Sequence, residues 1–97
     1  MNITLYKPSA VPQQVPPFEN AENQPMERVA ELLGCHVGLV DVQACGPNYV
    51  IFTIFDYEGP INLMGMAKVN RLTGVKLDPM DEHDQLCGSI LVVTLDA

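Results

Sequence analysis

The chain has few of the groups on which several large functional classes depend. Its 97 residues include no tryptophan, and five lysines and arginines stand against twelve aspartates and glutamates, which gives a net charge of −7. A nucleic-acid-binding protein gains most of its non-specific affinity from cations placed on phosphates, and anionic membrane surfaces attract basic segments for the same reason. We therefore predict neither direct nucleic-acid binding nor membrane binding.

Long apolar runs are also missing. None approaches the ~18 residues that a membrane span requires. The first residues, MNITLY, lack both the basic region and the long apolar stretch of a signal peptide. We expect a cytoplasmic protein, located in the host cytoplasm if a phage encodes it.

Signatures of catalysis and metal binding are absent as well. The cysteines Cys35, Cys45 and Cys87 are odd in number and form no C-x-x-C pair, which favours reduced thiols over a disulfide framework. A zinc site needs four converging ligands, and a Cys–His nucleophile needs an orienting group and an oxyanion hole, none of which the local motifs supply. No glycine-rich loop of the phosphate-binding type opens a helix. We predict a non-enzymatic protein with no catalytic residue, no metal and no cofactor.

What is present is an ordinary globular composition. Apolar residues make up 47% and charged residues 18% of the chain, which excludes a disordered segment. A chain of this length can bury one core but not two. We predict a single α+β domain over residues 1–97.

One helix is indicated between Asn23 and Gly34. Asn23 is a good N-cap, Pro25 suits the first turn, and Gly34 can adopt the left-handed conformation that ends a helix. Apolar residues recur at i, i+3, i+4 and i+7, namely Met26, Val29, Ala30 and Leu33. This spacing places them on one helix face.

Four segments have the composition of strands: residues 3–6, 36–43, 49–55 and 90–95. The proline-rich residues 7–17 predict an extended connection or an edge strand, because proline cannot donate to a ladder. Residues 61–72 fit neither period cleanly, and we predict a short strand that runs into a loop or a short helix.

These elements predict a small mixed or antiparallel sheet of four to five strands with one main helix packed on one face. Residues 49–55 and 90–95 are apolar on both sides, whereas one short helix covers only part of such a sheet. A second copy of the chain would cover the other face, and an unpaired edge strand offers another route to association. We therefore predict a homo-oligomer.

Polar residues in the ambiguous segment are candidates for ligand binding. Lys68, Asn70 and Arg71 lie beside Met64 and Met66, and an asparagine and an arginine next to an apolar wall can hold an anion such as a nucleotide phosphate. The alternative is a turn with surface cations. Methionine-rich stretches are also adaptable contact surfaces, which suits a protein partner.

Acidic residues cluster in one loop of the predicted fold. They are Asp78, Asp81, Glu82 and Asp84. The cluster is compatible with a solvated loop or with an acidic surface that imitates a polyanion and occupies a basic groove.

Several short motifs recur in a characteristic order along almost the whole chain. They are Tyr6-Lys7-Pro8, Leu32-Leu33-Gly34, Asp56-Tyr57-Glu58-Gly59, Asn70-Arg71 and Gly88-Ser89. This order resembles a family of small domains of unknown function found in bacteriophages, plasmids and other mobile elements. In that family a glycine-ended helix precedes a hairpin with an acidic-glycine turn, then an Asn-Arg pair, and Gly-Thr or Gly-Ser opens the last strand. The proline-rich connection and residues 73–82 depart from this pattern.

The resemblance implies a mobile-element protein, with Asn70 and Arg71 as its most family-like polar pair, and it implies no reaction. We therefore expect a binding protein of a phage or mobile element that acts on a host protein or a host defence component. One alternative is a protein that sequesters a small anionic ligand, such as a signalling nucleotide, through Lys68, Asn70 and Arg71. A second alternative is an acidic mimic of DNA.

Overall fold

The computed structural model describes residues 1–17 and 25–95. In chain order its elements are β1 (Asn2–Tyr6), β2 (Gln13–Val15), α1 (Pro25–Leu33), β3 (Val40–Gly46), β4 (Tyr49–Ile54), α2 (Leu63–Thr73) and β5 (Ile90–Thr94). A single 3-10 turn, Val37–Leu39, precedes β3. The predicted α+β fold class is confirmed. Neither helix in the described ranges is long and apolar enough to cross a bilayer.

The five strands form one antiparallel sheet in the order β2-β1-β5-β4-β3. β5 therefore lies at the centre, between β1 and β4, although it follows every other strand in the sequence. The sequence predicts that β4 and β5 are covered on both faces, as central strands are. In the sheet, each of them has a neighbouring strand on either side. Their β-branched and aromatic residues fit this position because such side chains pack well on a pleated surface.

Side chains of β5 alternate between two apolar cores on opposite faces of the sheet. Leu91 and Val93 pack with Val29 and Leu33 of α1. Ile90 and Val92 point to the other face, where they pack with Val69 of α2. The alternation follows from the two-residue period of a strand.

The second face is thus covered by α2 and by the segment that follows it. Leu72 of α2, together with Leu77 and Leu86, packs around the buried residues of this core. The sequence argument for a homo-oligomer assumed that this face lacked a cover. The chain supplies that cover itself, so the argument loses its premise and the homo-oligomer stays a prediction.

The ambiguous residues 61–72 form mainly the helix α2, and a helix was one of the outcomes that the sequence left open. The strand predicted from His36 begins only at Val40, because residues 37–39 form the 3-10 turn. The Leu39 N–H donates to the His36 carbonyl oxygen at 2.9 Å, and the His36 Nδ1 caps the turn by accepting from the Gly38 N–H at 2.9 Å. Gly34 ends α1 at φ +78° as predicted, whereas the predicted N-cap Asn23 lies outside the described residues.

The two edges of the sheet are of different kinds. β2 has three residues and is flanked by Pro12 and Pro16, so it is the proline-rich edge strand that the sequence predicted. β3 has seven residues and a register shift between Val42 and Ala44, which interrupts its ladder with β4. Short strands, prolines and bulges all reduce edge-to-edge pairing between molecules.

Candidate functional site

An apolar groove lies between the β1–β2 loop and the start of α2. One wall is formed by residues 9–12, and the other by Ile61, Leu63 and Met64. Its volume is about 420 Å³, which is within the size range of sites that hold a small molecule or a few side chains of a partner. We call it the loop–helix groove.

The groove exposes large apolar side chains that the two cores do not use. Leu63 is 60% exposed, Met64 is 53% exposed and Val11 is 85% exposed. On the opposite side of the same helix, Met66 and Val69 are each 2% exposed. α2 therefore has one buried side and one side on which apolar groups face solvent at its N-terminal end.

Asn62 anchors the helix wall of the groove to the sheet. This side chain is 1% exposed, and its Nδ2 donates to the carbonyl oxygen of Tyr6 at 2.7 Å, directly before the β1–β2 loop. The same Nδ2 donates to the carbonyl oxygen of Gly88 at 2.8 Å, and the Oδ1 caps α2 by accepting from the Gly65 N–H at 2.9 Å. One buried amide thus joins the end of β1, the segment before β5 and the start of α2.

Gly65 allows α2 to lie close to the sheet. A Cβ at this position would come within 2.5 Å of the Cδ1 of Ile90 and within 2.9 Å of the Asn62 Oδ1. Ile90 is fully buried, so its side chain has no free space into which it can move. The distance between the helix and β5, and hence the position of the groove wall, depends on this glycine.

The predicted ligand residues lie further along α2 and have different environments. Asn70 is committed to the backbone of Leu77: its Oδ1 accepts from the Leu77 N–H at 2.9 Å and its Nδ2 donates to the Leu77 carbonyl at 3.2 Å. Lys68 is half-buried and Arg71 is exposed. The asparagine therefore anchors the segment after α2, while the two cations are available. Their role in ligand binding stays a prediction.

Arg71 lies near the phenol of Tyr6, a residue that is 8% exposed. Burial raises the pKa of Tyr6 above its ordinary value, and the nearby Arg71 guanidinium offsets part of this increase. The phenol therefore stays neutral in the folded protein well into the alkaline range.

The acidic loop is a series of turns closed by its own carboxylates. Asp78 accepts from the Met80 N–H at 2.9 Å, Asp81 from the His83 N–H at 3.0 Å, and Asp84 from the Asp78 N–H at 3.0 Å. Asp84 is half-buried, whereas Asp78, Asp81 and Glu82 are exposed. Three of the four carboxylates thus hold the loop together, and a role as a polyanion mimic stays a prediction.

The three cysteines are free, and none of them lines the groove. Cys35 packs against the core under α1, where burial raises the pKa of its thiol, while Cys45 is exposed near the β3–β4 turn and Cys87 is half-buried. Across residues 1–17 and 25–95, no group of three or more histidine, cysteine, aspartate or glutamate side chains is placed to hold a metal ion.

Sequence reasoning did not identify the groove. The usable signal is Asn62 followed by Leu63 and Met64, which is a helix cap directly followed by two large apolar residues at positions that cannot all face one core. Comparison of the chain with protein-family models, with curated proteins and with solved structures finds no match.

Proposed function

We propose that this chain is a non-enzymatic binding protein of a phage or mobile element, and that it docks a segment of a host protein in the loop–helix groove. The observation that carries the proposal is the concentration of exposed apolar side chains, Val11, Leu63 and Met64, around one groove. Contiguous exposed apolar patches on small proteins commonly mark interaction sites.

The charge along α2 indicates the chemistry of the partner. Met64, Lys68 and Arg71 have the spacing i, i+4 and i+7, so they follow one side of the helix. The apolar end of this side continues into two of the five cationic residues in a chain of net charge −7. A partner segment with apolar side chains for the groove and carboxylates for the cations complements this surface.

The helix wall of the groove is fixed in advance of binding. Asn62 holds the start of α2 against the end of β1 and the segment before β5 through hydrogen bonds of 2.7–2.9 Å, so docking a partner orders little of this wall. A surface that is already in its bound shape loses less entropy on association.

The size of the apolar contribution explains why the cations are needed. Completing the burial of Val11, Leu63 and Met64 contributes about 3–6 kcal/mol, at about 1.5–3 kcal/mol for each fully exposed side chain. Association costs about 4–15 kcal/mol in lost translational and rotational freedom. Burial of these three side chains therefore does not offset the cost of association, and the partner must add its own apolar surface and charge.

The alternatives have less support. A site for a small anion would use Lys68, Asn70 and Arg71 together, but the Asn70 amide is already paired with Leu77. A polyanion mimic would present free carboxylates, but Asp78, Asp81 and Asp84 accept hydrogen bonds from their own loop. A second copy of the chain is the remaining candidate occupant of the groove.

The test uses a displayed peptide library selected against the protein. We expect selected peptides to combine apolar residues with aspartate or glutamate. We expect Met64→Gln to raise their dissociation constant about tenfold. Leu63 and Met64 are exposed, so their replacement changes stability by only about 0.5 kcal/mol. Met80→Gln is the matched control, because Met80 is 88% exposed but lies in the acidic loop.

Two results reject the proposal. Selected peptides that bind Met64→Gln as well as the wild type exclude the groove as the binding surface. A dimer mass in light scattering that reverts to the monomer mass in Met64→Gln replaces the host partner by a second copy of this chain.

A further inference from the structure

A second concave site lies beside β3 and is lined by other residues than the loop–helix groove. It is a cleft of about 220 Å³ between the β3–β4 hairpin and residues 85–87. Its polar lining is Asp41, Gln43, Thr53, Asp56 and Gln85. We call it the acidic cleft.

Thr53 is a buried polar residue that opens into this cleft. It is only 5% exposed, and its hydroxyl makes no hydrogen bond with any residue in the described ranges. Within those ranges no fully buried side-chain oxygen or nitrogen lacks a partner, so the Thr53 hydroxyl must keep contact with solvent, and the cleft is the space it lines. A hydroxyl that contacts only solvent in the cleft is available to a ligand that displaces this water.

The charge of the lining is of one sign. Asp41 is the direct cross-strand partner of Thr53, and Asp56 follows the end of β4. No lysine, arginine or histidine lines the cleft. The two carboxylates can only accept hydrogen bonds. The amide oxygens of the two lining glutamines and the Thr53 hydroxyl can accept as well, so a positively charged hydrogen-bond donor complements this lining.

An exposed aromatic ring favours an organic cation in this cleft. Phe55 is 61% exposed and lines the cleft, whereas Tyr57, which also lines it, has its ring packed closely against Gly59 and Gly88. A guanidinium can stack on such a ring while its N–H groups bind carboxylates in a planar fork. In the part of the chain described, no group of three or more histidine, cysteine, aspartate or glutamate side chains is placed to hold a metal ion, so the two aspartates have no third ligand of these types beside them.

Asp56 has a backbone conformation that fixes its position. Its φ is +52°, in the left-handed region that asparagine and aspartate tolerate better than other non-glycine residues. Asp56→Asn therefore removes the charge while it keeps the turn. Glu58 is an acid of the same turn that does not line the cleft, so Glu58→Gln is a control with the same change in net charge.

From these observations we infer that the acidic cleft binds a guanidinium group. The group is presented either by an arginine side chain of a partner or by a small free guanidine. The inference does not depend on the loop–helix groove, which is built from other residues.

The first experiment compares two probes by NMR titration of backbone amides. Nα-acetyl-arginine amide carries the guanidinium, and Nα-acetyl-citrulline amide is a neutral compound of nearly the same shape. We expect the arginine probe to shift the amide signals of Asp41, Thr53 and Asp56 in a saturable way, and we expect the citrulline probe to leave them unchanged. Equal shifts with both probes, or no saturable shift with the arginine probe, overturn the inference.

The second experiment uses variants whose fold is verified by thermal unfolding. Asp41→Asn and Asp56→Asn should each raise the dissociation constant of the arginine probe about threefold or more, because each removes one charge partner. Thr53→Val keeps the shape of the residue but removes its hydroxyl, so it should raise the dissociation constant of the arginine probe about threefold. Glu58→Gln should leave the dissociation constant unchanged, and an equal loss in Glu58→Gln shows non-specific attraction and rejects the site.

The source of the guanidinium is distinguished by two further probes. Agmatine that binds more tightly than the arginine amide identifies a free small guanidine. A peptide with a central arginine that binds more tightly than either identifies a side chain of a partner.

Discussion

The buried amide of Asn62 gives the most direct test of how the groove and the sheet are held together. Asn62→Ala removes three hydrogen bonds, to the Tyr6 and Gly88 carbonyl oxygens and from the Gly65 N–H. A typical net contribution is 0.5–1.5 kcal/mol for each bond, and more where a buried partner is left unsatisfied. The expected loss is therefore about 3–5 kcal/mol, from a total stability of about 5–15 kcal/mol.

The assay is urea unfolding followed by far-ultraviolet circular dichroism, because the chain contains no tryptophan. Asn48→Ala is the control, since Asn48 is an exposed asparagine and its removal should cost under about 0.5 kcal/mol. A loss below about 1 kcal/mol for Asn62→Ala would refute the reasoning, since the three bonds would then contribute little.

Asn62→Asp separates the roles of the two amide atoms. The carboxylate can still cap Gly65, but it cannot donate to the Tyr6 and Gly88 carbonyl oxygens. Burial next to two carbonyl oxygens raises the pKa of the introduced carboxyl in the folded state above its unfolded value of about 3.9. The stability gap to the wild type should therefore be large at pH 7 and narrow as the pH falls towards 4. A gap that stays constant with pH would contradict the buried position.

Two further predictions concern packing and pH. Gly65→Ala should lower the unfolding free energy, because the new Cβ meets the Cδ1 of Ile90 at 2.5 Å. Overpacking costs about 1–3 kcal/mol, and the higher helix propensity of alanine offsets up to about 1 kcal/mol of this cost. An unchanged melting temperature would contradict this contact. Burial raises the folded-state pKa values of Tyr6 and Cys35 above their ordinary values of 10.0 and 9.0. The contribution of these two neutral groups to the free energy of unfolding is therefore complete below about pH 9, and it is lost as the pH rises through the raised pKa values. Tyr6→Phe should gain stability relative to the wild type above pH 10 in urea unfolding, and no relative gain would show that the Tyr6 phenol is not buried.

Some elements were predictable because each carried several agreeing signals. α1 has an apolar face at helical spacing and a glycine at its end, and β4 and β5 are apolar at nearly every position. The 3-10 turn before β3 was not predictable, since Val37 and Leu39 alternate with polar or small residues as in a strand while both are exposed. Its conformation depends on local hydrogen bonds, from the Leu39 N–H to the His36 carbonyl oxygen and from the Gly38 N–H to the His36 Nδ1.

α2 was ambiguous for a reason that concerns function. Its buried positions, Met66 and Val69, have helical spacing, but Leu63 and Met64 add apolar residues on the outer side and hide that period. The residues that obscure the helix are the ones that line the loop–helix groove. The acidic cleft left no sequence pattern, because strand pairing and a turn bring Asp41 and Asp56 to one place from separate segments.

The central position of β5 has a consequence for synthesis of the protein. A ribosome makes β1, β2, β3 and β4 before β5, so the nascent chain holds two hairpins and no strand to join them. β1 and β4 each present an unpaired edge during this interval, and exposed edges can pair with other chains. The sheet closes only after residues 90–94 have left the exit tunnel, and a chain cut short before them would lose both central ladders at once.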